Sequence, residues 1–544
     1  MVTAPTPADS GRGRFVAAVD QGTTSTRCLV LDERAVVRGS AQLEHAQHYP
    51  QPGWVEHDPL EIWDNTLTVV GRALAAAGVE ARDLVACGVA NQRETAVVWE
   101  RETGRPVHDA IVWQDTRTEA RCRRLAPTAG AVERWRDVTG LPPSTYFAGP
   151  KIAWILDHVD GARERAEAGE LLAGTVDSWL VWNLTGGADG GMHVTDVTNA
   201  SRTLLMDLRS LAWSPELAEQ VGVPLRVLPE IRSSAEVYGL GHRAGPLAGV
   251  PVAAALGDQH AALVGQACFE PGSSKCTYGT GGFLLTNTGD RPVRSRHGLL
   301  TTVAYRLGAE PPTYALEGSV AVAGSLIHWL RDRLELVRDV GEVESLAGSV
   351  EDSGGAYFVP AFSGLYAPRW RPDARGTITG LTAYTGRAHL VRAALEATCF
   401  QTREVADAMA SDTRADDVSG SGPGLRELRV DGGMVANSLL MQLQADTLQV
   451  PVVAPEVVET TAVGAAFAAG LAVGLWRDRD ELRQLWRTGR RWEPRADSDL
   501  PTTRWREWHR AVDRSLGWVA TEQHPAAADD TAAPTVDDLT KESV

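Results

Sequence analysis

Two short runs of glycine and hydroxyl residues stand where a chain could grip phosphate. The first, Asp20-Gln21-Gly22-Thr23-Thr24-Ser25, lies between the apolar runs Phe15–Val19 and Arg27–Leu31; the second, Gly279-Thr280-Gly281-Gly282, lies between Ser274–Tyr278 and Phe283–Thr286. Each reads as strand, turn, strand. Glycine lets the backbone approach an anion, consecutive N–H groups form a nest for it, and threonine hydroxyls add donors. Asp20, at a strand end, is placed to hold Mg²⁺ through water, because that ion keeps much of its hydration shell. A third glycine turn, Asp431-Gly432-Gly433, follows Leu428–Val430. Phosphoryl transfer needs aligned reactants, neutralised charge and a base for the attacking hydroxyl. Asp258 is the candidate base, since it follows the apolar run Val250–Leu256 and α/β folds present catalytic groups at strand C-terminal ends. The alternative reading of Asp258 is a helix cap.

Other phosphate and hydrolase chemistries are excluded. The chain has no G-x-x-x-x-G-K-[ST] P-loop, no G-x-G-x-x-G after a strand, no G-x-S-x-G elbow and no H-E-x-x-H. Lys151, Lys275 and Lys541 are the only lysines among 53 basic residues, which reads as compositional bias. The formal net charge of −17 argues against non-specific binding to nucleic acid or anionic membranes.

The elements that must position these groups alternate between strand and helix. Leu84–Ala90 and Val250–Leu256 read as buried strands, His389–Met409 as a helix, and Leu428–Val430, a glycine turn and Asn437–Leu448 as strand, turn and helix. Ser411–Gly424 reads as a surface loop. The 544 residues exceed one compact core, and a hairpin opening each half predicts a duplicated α/β architecture with a boundary near Gly265. The expected division is 14–265 and 266–518, with disordered tails at 1–13 and 519–544. The 17 uncharged residues Thr460–Trp476 are mostly alanine and glycine, which suits a buried helix in close contact better than an integral membrane segment. Six scattered cysteines and an N-terminus without an apolar core predict a cytoplasmic protein with reduced thiols.

The paired hairpins together with the Asp431-Gly432-Gly433 turn resemble the actin/hexokinase/Hsp70-type ATPases, in which two ribonuclease-H-like domains surround a nucleotide cleft. Within that class, YFAGPKIAWILDH (Tyr146–His158) and GTITGLTAYTGRAHLVRAALE (Gly376–Glu396) resemble the two signature patterns of the FGGY carbohydrate kinases. The first departs from the pattern at Ala148, where the family has Ser, Thr or Pro. Eight further stretches, VDQGTTSTR and RVDGGMVANSLLMQ among them, are similar to the glycerol-phosphorylating branch of that family. The similarity runs in the same order from about residue 14 to 515.

The resemblance implies ATP-dependent phosphorylation of glycerol to sn-glycerol 3-phosphate, with ATP and Mg²⁺ as co-reactants and a homo-oligomeric enzyme. Another polyol or ketose acceptor, or an actin-like nucleotide switch, are the alternatives. It assigns the acceptor to Arg93, Glu94, Trp113, Tyr146, Asp258, Gln259 and Phe283. A triol needs donors and acceptors for its hydroxyls and an apolar wall for its carbon edge, and those residue types supply both. Without the resemblance, Trp113 and Phe283 would read as core and Arg93–Glu94 as a solvated pair. The phosphates fall to Gly22, Thr23, Thr24, Ser25 and Arg27 from the first half and Thr280 from the second; adenosine falls to Gly324, His328, Gly433 and Asn437. Mg²⁺ falls to Asp20, through water, and to Asp258. His328 replaces the family's usual Gln, and a histidine cannot reproduce both functions of an amide.

Overall fold

The computed structural model describes residues 14–416 and 424–519. The tails expected at 1–13 and beyond 519, and residues 417–423 of the expected loop, lie outside the described residues.

Two large sheets organise the chain. The first is built from β1 (Phe15–Gln21), β2 (Ser25–Asp32), β3 (Val37–Glu44), β4 (Leu84–Asn91), β5 (Ala235–Leu240) and β6 (Pro251–Gly257), in the order β5-β6-β4-β1-β2-β3. β1, β4 and β6 run parallel, while β1–β2, β2–β3 and β5–β6 are antiparallel. The second sheet contains β7 (Ser274–Tyr278), β8 (Gly282–Gly289), β9 (Leu300–Tyr305), β10 (Thr313–Val320), β11 (Leu428–Asp431), β12 (Val452–Pro455) and β13 (Thr488–Trp492), ordered β9-β10-β8-β7-β11-β12-β13. Both predicted hairpins form: β1–β2 turns through Gly22-Thr23-Thr24 and β7–β8 through Gly279-Thr280-Gly281.

The helices that matter to the site are α1 (Pro59–Ala77), α2 (Ala148–His158), α3 (Asp258–Gly265), α4 (Gly324–Asp332), α5 (Arg387–Asp416), α6 (Ser438–Leu448) and α7 (Thr460–Ala472). Local chemistry sets their ends. Asp58 caps α1 by accepting from Leu60 N, Pro59 takes its first position, and Gly78 closes it with φ of 68°. α5 runs past the helix expected at His389–Met409 and takes in Ser411–Asp416, which had read as loop.

Strand alternation sends side chains into two layers. On β1, Ala17 and Val19 face a core shared with α1, whereas Val16 and Ala18 face a central core that also holds α3 and α7. The second sheet joins that central core through Leu285, Ala304 and Ala315, and its other face buries α5 and α6. α3 and α7 are therefore sandwiched between the sheets. α7 is the Ala/Gly-rich run, buried almost throughout, and it covers the first sheet although it belongs to the second half of the chain. Close approach explains its composition: a Cβ on Gly464 would clash with the Ala261 carbonyl of α3, and one on Gly265 with the Thr460 carbonyl. Among the described residues no helix is long and apolar enough to cross a membrane. All six cysteines are buried and free.

Candidate active site

Parallel pairing lines up the strand ends that carry the chemistry. Gln21 on β1 and Gly257 on β6 both pair with Asn91 on β4, so Asp20, Arg93–Glu94 and Asp258 emerge along one edge of the first sheet. Across the cleft, Thr277 on β7 pairs with Asp431 on β11, which brings the Thr280 tip beside Gly432 and Gly433. Each half thus presents the C-terminal ends of parallel strands to the other, the usual place for ligands in α/β folds. Asp258 opens α3, and Arg93 Nε lies 3.2 Å from its Oδ1.

All seven proposed acceptor residues line one cavity of about 460 Å³, together with Thr23, Thr277, Gly279, Thr280 and Gly281 from the two hairpins. Trp113 meets Tyr146 edge-on at 5.7 Å between ring centroids and Phe283 at 6.3 Å, forming an apolar wall. The indole Nε1–H of Trp113 donates to Thr23 Oγ1 at 2.9 Å, joining this wall to the first hairpin.

Beneath this wall lies a buried charge network that pattern reading missed. Arg93 donates through both terminal nitrogens to Glu317, at 2.5 and 3.0 Å. Arg202 donates to Glu94 at 2.6 Å and to Glu317 at 3.2 Å. Burial alone would raise the Glu317 carboxyl, but Arg202 and Arg93 hold it well below the usual carboxylate range. For Glu94 burial wins, and its carboxyl is raised against the pull of both arginines. Glu94 also sits at φ of 61°, a left-handed backbone uncommon outside glycine and often found at functional sites. Two of the three lysines are fully buried here. Lys151 on α2 donates to the carbonyls of Glu94, Tyr146 and Phe147, and burial pushes it down to about 8. Lys275 on β7 donates to Gln259 Oε1 and Thr277 Oγ1, and burial lowers it too. The available signals were a lone charged residue in the strand Thr313–Val320, which demands a buried partner, and lysines persisting in an arginine-dominated chain.

The two hairpin turns are braced from behind. Gly22 N–H is spent on Ser25 O, Gln47 donates to Thr23 O at 2.9 Å, and Gln42 donates to Ser25 Oγ at 2.8 Å. That leaves Thr23 and Thr24 at the tip. Arg27 is engaged elsewhere: it donates to Gln42 at 2.8 Å and pairs with Glu459, just ahead of α7. The second tip rests on α4, whose Ala323, Gly324 and Ser325 N–H groups bond Thr280 O, Gly279 O and Thr280 O. Gly324 also approaches Met434, so α4 and the 432–437 turn meet at this tip. A Cβ on Gly433 would meet nothing within 4 Å, leaving open space above the turn. Asn437 Oδ1 caps α6 by accepting from Leu440 N at 2.9 Å. His328 is exposed on α4, one turn beyond Gly324. Gly324, His328, Gly433 and Asn437 do not line the cavity, whereas Thr23, Gly279 and Thr280 do.

Among the described residues no cluster of three or more His, Cys, Asp or Glu could cage a metal ion. The chemistry of Asp20 and Asp258 fits a hydrated Mg²⁺ held partly by phosphate. Burial pushes the Asp20 carboxyl up to about 7; Arg27 opposes this and the neighbouring Asp258 adds to it. A divalent cation would relieve that repulsion.

Two family models cover most of the chain: the FGGY family of carbohydrate kinases, N-terminal domain, over residues 15–265, and its C-terminal domain over 274–473. The chain is 57% identical over 514 residues to glycerol kinase 2 of Streptomyces coelicolor, covering 94% of this chain and 99% of that one. It is 59% identical over 507 residues to glycerol kinase of Nocardia farcinica, covering 93% and 100%. Its fold is similar to Plasmodium falciparum glycerol kinase with ADP, at a TM-score of 0.85 and 37% identity over 94% of this chain and 99% of that one. A xylulose kinase from Brucella ovis shares the fold at a TM-score of 0.78 and 24% identity, covering 92% and 99%.

Proposed function

The chain belongs to the FGGY family of carbohydrate kinases, and from that membership and the chemistry of its cleft we propose that it transfers the γ-phosphoryl group of ATP to glycerol, giving sn-glycerol 3-phosphate. The observation that carries this reading is one cavity lined by a strand-end carboxylate, a polar–aromatic acceptor wall and the tips of two phosphate-binding hairpins.

In this reading Asp258 takes the proton from the attacking terminal hydroxyl as the phosphoryl group arrives. Arg93, held by Glu317, keeps a guanidinium beside that carboxylate and the acceptor hydroxyls. Glu94, Tyr146 and Gln259 order the remaining hydroxyls, and Trp113 with Phe283 covers the carbon edge. Thr23, Thr24 and Ser25 grip the phosphates from the first half, with Gly22 letting the backbone approach; Thr280 closes on them from the second. Adenosine lies against Gly324, His328, Gly433 and Asn437. Asp20, through water, and Asp258 would hold Mg²⁺, and the bound ion would offset charge on the transferring phosphoryl group. Arg27 contributes charge only if nucleotide draws it from Glu459.

The moving bodies in this proposal are 14–265 and 266–518, and their closure brings Thr280 to the phosphates and excludes water. Cytoplasmic location and assembly as a dimer or tetramer belong to the same proposal. A bulky ketose would crowd the Trp113–Phe283 wall, which favours glycerol as acceptor. ADP release measured with glycerol, erythritol, dihydroxyacetone and D-xylulose tests this choice: glycerol is expected to give the highest kcat/KM. Equal or higher values for D-xylulose would overturn it.

A further inference from the structure

We propose that Lys275 is a positioning residue of the acceptor site: reaching from the second sheet, its ammonium fixes the Gln259 carboxamide so that Gln259 meets the acceptor as a hydrogen-bond donor. This inference rests on the polyol-kinase reading given above and adds a residue to it.

A carboxamide side chain can present either its oxygen or its nitrogen with little change in shape. An ammonium offers only donors, so the Gln259 oxygen must be the end turned toward Lys275. Lys275 is itself held, because it also donates to Thr277 Oγ1 at 2.8 Å and has no exposed surface. The Gln259 nitrogen is thereby directed to the opposite side, where one N–H reaches Asp258 Oδ2 at 3.2 Å. Its second N–H is the group that Gln259 offers to a hydroxyl oxygen in the cavity it lines. A freely turning amide would offer donor and acceptor alike and would orient the hydroxyl less strictly.

The identity of the cation fits this task. A compact ammonium donates tetrahedrally to two oxygens within a buried strand, whereas a planar guanidinium fork would not fit the same place. That accounts for a lysine at a fully buried position in a chain whose 53 basic residues include only Lys151, Lys275 and Lys541. The contact also joins the two halves of the chain. Lys275 lies on β7, which leads directly into the Thr280 tip, and Gln259 lies on α3 directly after Asp258. Acceptor orientation and the second phosphate hairpin thus share one hydrogen-bonded bridge.

A double-mutant cycle on the full-length enzyme with glycerol and MgATP tests this. Lys275→Met keeps an unbranched stem that can stay buried but removes the donors; it is expected to raise KM for glycerol about tenfold. KM for ATP should stay within about twofold. In a Gln259→Ala background, Lys275→Met should add no more than about twofold, because its effect passes through the amide. Gln259→Glu, which keeps the partner of Lys275 but removes the amide donors, should raise KM for glycerol about as much as Gln259→Ala. Equal effects of Lys275→Met in both backgrounds, a parallel rise in KM for ATP, or near-normal KM for glycerol in Gln259→Glu would each overturn the inference. The Gln259→Glu arm stands even if Lys275→Met fails to fold. A wild-type chain releasing no glycerol-dependent ADP would remove the functional reading and this inference with it; turnover with an additive cycle would remove the inference alone.

Discussion

Asp258 is the residue on which the proposed chemistry turns, and Asp258→Asn separates base from cap. The amide can still accept a hydrogen bond at the start of α3 but cannot take a proton, so kcat should fall about 10²–10⁴-fold. ADP binding, measured by calorimetry, should remain; full turnover by the variant would exclude the base role. Trp113→Phe makes a finer cut. It keeps an aromatic ring against Tyr146 and Phe283 but removes the N–H that holds Thr23, together with part of the ring area. KM for glycerol should change by less than KM for ATP, the reverse of what a mere loss of wall area would do. Lys151 gives a prediction in pH. The unfolded chain holds this proton up to about 10.5, whereas the folded chain releases it near 8. Between those values the unfolded state binds more protons, so this group costs the most stability below pH 8, and stability rises as pH climbs toward 10.5. Urea unfolding across that range should show a slope, worth up to about 3 kcal/mol, that Lys151→Met lacks. Parallel curves for the two proteins would contradict this. At this scale the sequence was legible in part. Gly22–Ser25 and Thr280 stand out as phosphate-binding candidates because two Gly/Thr hairpins and the Asp431-Gly432-Gly433 turn occur together, whereas one such hairpin alone is usually just a turn. Glu317 does not, since its role depends on Arg93, which lies 224 residues away along the chain.

At the scale of elements, the hairpins and central strands were legible because their chemistry is local: continuous apolar runs buried on both faces, a glycine tip, an apolar run followed by a carboxylate. α5 was not. Ser411–Asp416 has the composition of a loop, yet the helix continues through it. Asp412 is buried there, accepting from Ser295 Oγ at 2.6 Å and Arg296 N at 2.9 Å. A tertiary anchor of that kind overrides local propensity, and its partners are more than a hundred residues distant. α7 was recognisable as a close-contact helix, but not which sheet it covers. Its fit against α3 predicts that Gly464→Ala destabilises the protein by about 1–3 kcal/mol through overpacking, despite alanine's better helix propensity. Chemical denaturation would check the sign; a stabilised variant would mean that α3 and α7 are further apart than described.

In the whole molecule, two sheets face one another through their strand ends and share a central core around α3 and α7. α3, which carries Gln259 in its first turn, belongs to that core and so links it to the cavity that Gln259 lines. The net charge of −17 describes the average surface; the cavity itself is lined by Arg93 against Glu94, Asp258 and Glu317, while Arg202, Lys151 and Lys275 are buried outside its lining. The most direct measurement is therefore of the reaction itself: purified chain, MgATP and glycerol, with ADP and the phosphorylated product quantified together. The account predicts sn-glycerol 3-phosphate formed one for one with ADP, and ADP release at least about a hundredfold slower when glycerol is omitted. ADP release that proceeds equally without glycerol, or that yields no glycerol phosphate, would contradict it.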